Sequence, residues 1–480
     1  MHNPRTFKFL LLVSVGILSF NLSAADYFWI GGSGNWSDIS HWATTSGGGT
    51  THSQAPTAGD DVFFDANSFT APGQVVTLNT DINFCRNLLV QGVTNGPVLR
   101  GSNAVTLNVF GALEILGGMT LDYQGHVVFT SDQAGNAVNF AGETAGSTIT
   151  FSGIGGWTLE SAITVDSTFS FQEGTLNTNG QAIDCGYFRS DGEATRQLTL
   201  GASTITINST TYRPYDNAPF EFEYHPFYVD ARNLTIDAGS STITLTADDV
   251  DLVFEGPGTL TFNRVATTAP MGNSRVRDWQ NYNGFGSEPT VNFTELSLAH
   301  RTEVLARFTT DVLTLFPGQA YTFQSGYTFT LGGLNATGDC TAGIGISSTQ
   351  AGEVATLSSV NDITADFVLL QSISATGGGA FSANDAVDLG NNPGWTINQK
   401  PTEDFYWIGN AGNWNEPMNW SATSGGPPSG CIPSVTDNVF FDANSFDGPG
   451  QLVTLDAENN YCRNIDWTGA TGTPVLAGAE

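Results

Sequence analysis

Short apolar runs rich in Thr, Ile, Val, Leu and Phe alternate with polar positions along almost all of this 480-residue chain, and clusters of Gly, Asn, Ser and Asp separate them. That is the punctuation of short strands joined by tight turns, and 56 glycines supply the turn residues such a pattern demands. Helical spacing is nearly absent. Only 294–308, with Leu296, Leu298, Val304, Leu305 and Phe308, is considered as a helix. The pattern predicts an all-β protein.

A second, longer period lies above the strand pattern. Ser147-Thr148-Ile149-Thr150-Phe151, Ser203-Thr204-Ile205-Thr206-Ile207 and Ser241-Thr242-Ile243-Thr244-Leu245 repeat one motif at spacings close to multiples of nineteen. Leu198-Thr199-Leu200 and Leu234-Thr235-Ile236 precede the second and third. Coils of about nineteen to twenty-five residues, each stacking its strands on those of the next, would produce this, because every coil then covers the apolar face of its neighbour. The expected fold is a right-handed parallel β-helix with a Trp-rich β cap at the start of each unit; a string of β-sandwich domains is the alternative.

The longest-range pattern is a duplication. Tyr27-Phe28-Trp29-Ile30-Gly31, Gly34-Asn35-Trp36 and Trp42 return as Phe405-Tyr406-Trp407-Ile408-Gly409, Gly412-Asn413-Trp414 and Trp420. Val62-Phe63-Phe64-Asp65 returns as Val439-Phe440-Phe441-Asp442, and Cys85-Arg86-Asn87 as Cys462-Arg463-Asn464. A repeat of this fidelity marks a duplicated module. The chain divides accordingly into a signal peptide (1–25), a Trp-rich opening module (26–115), a solenoid body (116–398), a linker (399–403) and a second, incomplete opening module (404–480), and reads as the start of a longer array.

Residues 1–25 carry the marks of a secretory signal: Arg5 and Lys8, an apolar run of 9–20, and Ser23-Ala24-Ala25 as the cleavage site. The run is too short to span a bilayer, so a secreted or cell-surface location with no membrane span is expected. Charge narrows the partners. With 15 basic against 46 acidic residues the net charge is −31, which argues against nucleic acid. The five cysteines (Cys85, Cys185, Cys340, Cys431, Cys462) fit no zinc spacing, and their odd number leaves one unpaired. A Cys431–Cys462 bridge is open to the second copy and closed to the first, where Gln54 stands in place of Cys431; the pairing stays unassigned.

Three sets of residues invite chemistry. Trp29, Trp36 and Trp42 could stack on sugar rings, but an exposed solenoid end must also be capped, and large aromatics cap it well; the cap is the favoured reading. Asp60, Asp61 and Asp65, with Asn67, and their counterparts Asp437, Asn438, Asp442 and Asn444 are hard oxygen donors near a turn, a site where calcium would bind as the only cofactor expected, although Asp and Asn also simply form turns. Asp248, Asp249 and Asp251 resemble a solvated edge. A polysaccharide lyase or hydrolase would need converging carboxylates with an Arg or Lys base. Arg232, Arg264, Arg275, Arg277 and His225 (beside Tyr224 and Phe227) lie in an irregular stretch, but no acid pair is spaced for a shared site, and no catalytic residue is assigned.

Trp-Ile-Gly-Gly-Ser-Gly-Asn-Trp (29–36) with Trp42, Asp61-Val62-Phe63-Phe64-Asp65, Phe84-Cys85-Arg86-Asn87-Leu88 and the closing Asn391-Asn392-Pro393-Gly394-Trp395 resemble modules of very large secreted repeat proteins of the Bacteroidetes type. The resemblance implies a multi-repeat surface or adhesin-like protein with a β-rich stalk. Such proteins are often cargo of type IX secretion, which reads a C-terminal tail that these residues do not include. The function expected is a cell-surface structural or adhesive element rather than an enzyme, whose partners would be extracellular polysaccharide or other surface molecules. A β-helical polysaccharide-active enzyme and a glycan-binding module using the Trp cluster are the alternatives.

Overall fold

The computed structural model describes residues 24–212, 224–278, 288–457 and 460–478. The signal-peptide expectation for 1–25 therefore falls almost wholly outside the described residues. Strands dominate; among the described residues the helical elements are the single 3-10 turns Ile39–His41 and Pro417–Asn419. The proposed helix over 294–308 is instead the strands Thr290–Leu298 and Arg301–Val304. Its apolar residues serve two different walls: Leu296 pairs with Val265 and Leu313, whereas Val304 pairs with Val276 and Phe323.

Nearly every pairing is parallel and in register. One ten-stranded sheet runs from the opening strand Asp26–Trp29 to Leu234–Asp237, a sixteen-stranded sheet starts at Ile82–Cys85, and a second ten-stranded sheet starts at Ile163–Thr164. Sandwich domains would require antiparallel sheets. Among the described residues, antiparallel pairing between strands joins only Asp26–Trp29 to Trp42–Ala43 and, in the second module, Asp404–Trp407 to Trp420–Ser421, with two isolated antiparallel bridges besides. From Ile163 to Leu245 the chain visits the three sheets in rotation. Beyond Thr259 the first of them has ended, and long strands such as Thr259–Thr267 and Thr328–Ala336 alternate with the sixteen-stranded sheet alone.

The alternating pattern explains the core. Most strands are four residues long with every second side chain buried, so each contributes two rungs to an internal ladder. In the sixteen-stranded sheet Val127, Ile149, Phe169, Phe188, Phe227 and Leu252 stand on one another, all nearly inaccessible. Opposite them Ile183, Ile205, Ile243, Val265 and Leu296 form an equivalent column. The repeated Thr-Ile-Thr motif is split between the two. Ile205 and Ile243 are direct neighbours, but Ile149 belongs to the sixteen-stranded wall, so the first occurrence is not a third member of that column. The motif marks any half-buried strand here, because a Thr flank fits either solvent-facing side.

The boundary drawn at 115/116 does not separate two units. Leu88 pairs with Leu113 and Leu113 with Val138, so the opening module passes directly into the body, and one hydrophobic core runs from Tyr27 to Ala386. The boundary near 400 is different. The second module has its own small core of Phe405, Trp407, Trp414, Trp420, Val439, Phe441, Phe446 and Val453.

Candidate functional site

The Trp-rich turn is built by a short strand, a reversal and a 3-10 turn. Asp38 caps that turn by accepting from the Ser40 hydroxyl and the Ser40 backbone N–H, and these two bonds, the hydroxyl's first, hold its carboxyl below the usual range. The turn returns Trp42 antiparallel to Trp29. Trp29, Trp36 and Trp42 are then 0%, 2% and 0% exposed. Their rings meet edge to face, at 4.9 Å and 83° for Trp29–Trp42 and 5.0 Å and 74° for Trp36–Trp42. The Trp29 indole N–H donates to the Gly32 carbonyl at 2.7 Å and the Trp42 indole to the Trp36 carbonyl at 2.7 Å. His41 lies flat on Trp29, 4.6 Å between centroids, covering the face a sugar ring would need. The three indoles are core, with no coplanar platform among them. The second module repeats the arrangement with Trp407, Trp414 and Trp420.

The three carboxylates considered for calcium do not converge. Buried Asp60 accepts from Ala25 N, Thr57 N and Thr57 Oγ1. Asp61 is paired with Arg86 and accepts from Asn87 Nδ2 at 2.8 Å. Asp65 caps a turn, accepting from Asn67 N at 2.9 Å. Each already accepts hydrogen bonds from protein donors, and among the described residues no group of three His, Cys, Asp or Glu side chains is placed to hold a metal.

The basic residues that sequence spacing left scattered are gathered by the stacking. Asp251 is fully buried beside Arg277 Nη1 at 3.0 Å, His225 Nδ1 at 3.4 Å and Arg275 Nη1 at 3.9 Å. At the far end of the strand Asp251–Glu255, Arg232 binds Asp230 at 2.6 Å and Glu255 at 3.0 Å, and Glu255 also accepts from Tyr228 Oη. Hydrogen bonding to Asp230 drives the Arg232 guanidinium well above its ordinary value, while burial, reinforced by Glu255, raises the Tyr228 phenol. Arg264 stands apart with Glu295, Tyr224 is exposed, and Phe227 is core. Register makes the Asp251 cluster: residues distant in sequence become adjacent because Asp251 pairs with Arg275 and Val253 with Arg277. The central carboxylate is ringed by basic side chains and closed to solvent, which suits a structural ion-pair network.

The junction between body and second module is the site that spacing did not reveal. Cys340, in a turn of the body, is disulfide-bonded to Cys431, across 91 residues. The Cys431–Cys462 bridge is therefore not formed; Cys462, Cys85 and Cys185 are free, and burial raises all three thiols. The stretch 399–403 is no loose linker. Strand Trp395–Gln399 pairs with Phe381–Asp388, and Lys400 N donates to the Ala386 carbonyl at 3.0 Å. Lys400 Nζ then bonds both oxygens of fully buried Asp437, at 2.9 and 3.0 Å, and Glu403 at 2.6 Å. Burial opposes its charge, but the two carboxylates prevail and its pKa rises. Ile432 packs beside the disulfide over Val368, Leu369 and Val387 around a cavity of about 90 Å³. The seam opens on one side into a cleft of about 700 Å³ between the sixteen-stranded sheet and the second module.

Compared with known protein families, curated proteins and solved structures, the chain finds no match. No helix among the described residues is long and apolar enough to cross a membrane.

Proposed function

We propose that this chain is part of an exported, elongated surface protein of structural or adhesive role: a right-handed parallel β-helix whose units open on a buried tryptophan cap and follow one another as covalently fastened modules. The observation that carries this reading is the single apolar core running beneath parallel, in-register strands from Tyr27 to Ala386, with the second module pinned to its end by Cys340–Cys431 and Lys400–Asp437. A strand spacing of ~4.8 Å makes a sixteen-stranded sheet about 70 Å long. Such a rod would hold binding surfaces away from a cell, and tandem copies would multiply weak contacts. Location at the surface follows from the charge of 1–25 and from the resemblance, and it is part of the proposal.

Small-angle scattering on residues 26–480 tests the shape. A compact chain of this length has a radius of gyration of about 23 Å; the rod requires a value clearly above it, and a compact value would defeat the reading. Incubation with polysaccharides tests the role, since release of reducing or unsaturated sugars would establish an enzyme instead.

A further inference from the structure

We propose that a groove on the outer face of the first ten-stranded sheet binds a neutral, extended glycan chain. This rests on the adhesive reading and deepens it by naming a binding face and its ligand class. The groove, about 420 Å³, has the size of a ligand site, and its whole lining lies among described residues, from Asp132 to Thr199. Its floor is the outward side of the strands Gly156–Leu159, Gly174–Asn177 and Arg196–Thr199. Two straight rows cross them: Thr158 pairs with Asn177 and Asn177 with Thr199, and Gly156 pairs with Thr175 and Thr175 with Gln197. Ala134 and Ile154, the latter 70% exposed, rise beside the floor from two stacked turns. The depth comes from Gly156. A Cβ there would touch Ala134 and Thr175 at 3.6 Å, an ordinary contact, so a larger side chain would fill the space.

Charge and chemistry choose the ligand. Among the described residues no basic side chain lines the groove, and its one carboxylate, Asp132, already accepts from Gln133 Nε2 at 2.9 Å. A polyanion would meet no counter-charge there, and a chain of net charge −31 would repel it. Three Thr hydroxyls can each donate and accept. Asn177 Oδ1 accepts from Asn179 N at 2.9 Å, which leaves the amide NH2 of Asn177 to donate. These groups match the hydroxyls of a sugar chain, and Ala134 and Ile154 suit the apolar C–H face of its rings. The strands repeat the polar row every ~4.8 Å, close to the rise of one unit along an extended hexose chain. An extended peptide would need a free sheet edge to pair with. All three strands have a neighbour on each side, so none offers one.

Titration calorimetry on the full chain at about 0.15 M salt, where long-range repulsion is screened beyond ~8 Å, tests this with cellohexaose, mannohexaose and xylohexaose. Hexagalacturonate and a neutral Ser-Gly hexapeptide are the comparisons. At least one of the three neutral sugars is expected to bind, roughly tenfold more tightly than either comparison. Gly156→Leu, which plugs the floor, should weaken that binding by roughly tenfold or more, and Asn177→Ala severalfold. Thr175→Leu plugs the same floor from the next strand and replaces Gly156→Leu if circular dichroism shows that variant unfolded. Failure of all three sugars, equal binding of either comparison, or binding unchanged in a folded plug variant would overturn the proposal. Scattering keeps the two readings apart: a rod that binds none of the sugars loses the groove alone, and sugar binding by a compact chain loses the rod alone.

Discussion

Leu99 in the first module is 3% exposed and Leu476, its counterpart in the second, is 38% exposed; Leu88 and Ile465 differ in the same way, 1% against 43%. The sequences around them are close copies. What differs is the neighbour. Leu113–Ile115 and Thr120–Tyr123 lie on the first module's strands, whereas Asn464–Asp466 and Val475–Gly478 are the outer strands of their sheets among the described residues. One sequence pattern thus gives a buried coil or a half-open one according to what stacks upon it, which is how stability is distributed in repeat proteins. The modules also differ at their lower edge. Where Asp61 pairs with Arg86 in the first, Asn438 accepts from Asn464 and donates to Asp404 in the second, and Arg463 reaches Thr402 instead.

The tryptophans offer the hardest test of this contrast. Trp42→Ala should cost about 3–5 kcal/mol, as large buried aromatics do, and lower the main thermal transition. Trp420→Ala should unfold the second module alone, whose core has eight buried residues, and leave the body's transition in place. A single shared loss in calorimetry would break the comparison. Next, Leu99→Ala should cost about 2–5 kcal/mol, whereas Leu476→Ala should stay within about 0.5 kcal/mol, as exposed substitutions do. Equal costs in urea unfolding would mean that something covers the second module's open side. Replacing Cys340 and Cys431 by Ser removes a link typically worth about 2–4 kcal/mol; limited proteolysis should then cut 399–404 in the variant and spare it in the oxidised parent. His41→Asn, which installs the Asn419 of the second module, removes the stacking on Trp29 and should cost about 0.5–1.5 kcal/mol. The smallest effect concerns pH. Because Lys400 has a raised pKa, its contribution is complete below the ordinary lysine value of 10.5 and is lost as pH rises through the elevated one. In the double Ser variant, protease sensitivity of the junction should therefore increase at high alkaline pH while the first module stays resistant.

Much of this architecture was legible in the chain. Thr-Ile-Thr alternation named half-buried strands, and the duplicated Trp pattern located both module starts. Register was not legible. The Phe188–Phe227 rung joins residues 39 positions apart where Phe169–Phe188 joins residues 19 apart, so no fixed period could align it, and the shared Thr-Ile-Thr motif does not distinguish Ile149 in one wall from Ile205 and Ile243 in another. Parallel stacking also hid the charges: Asp251, Arg275 and Arg277 meet only after the strands are in register, and Arg196, wholly buried, is satisfied largely by the backbone carbonyls of Gly192, Asp230 and Arg232. The disulfide escaped for a different reason. Cys431 has no counterpart in the first module, so the repeat that revealed everything else was silent about its partner.

That bond has a mechanical meaning. A load applied to the second module beyond Cys431 would enter the body at Cys340 and not at Gln399. The strands between, from Ile344–Ser348 to Trp395–Gln399, would lie inside a closed covalent loop and carry no tension. Peeling one end strand after another, the weak mode of any stacked sheet, could not start there. The load would instead fall on Ala320–Phe323 and Thr328–Ala336, strands held by neighbours on both sides.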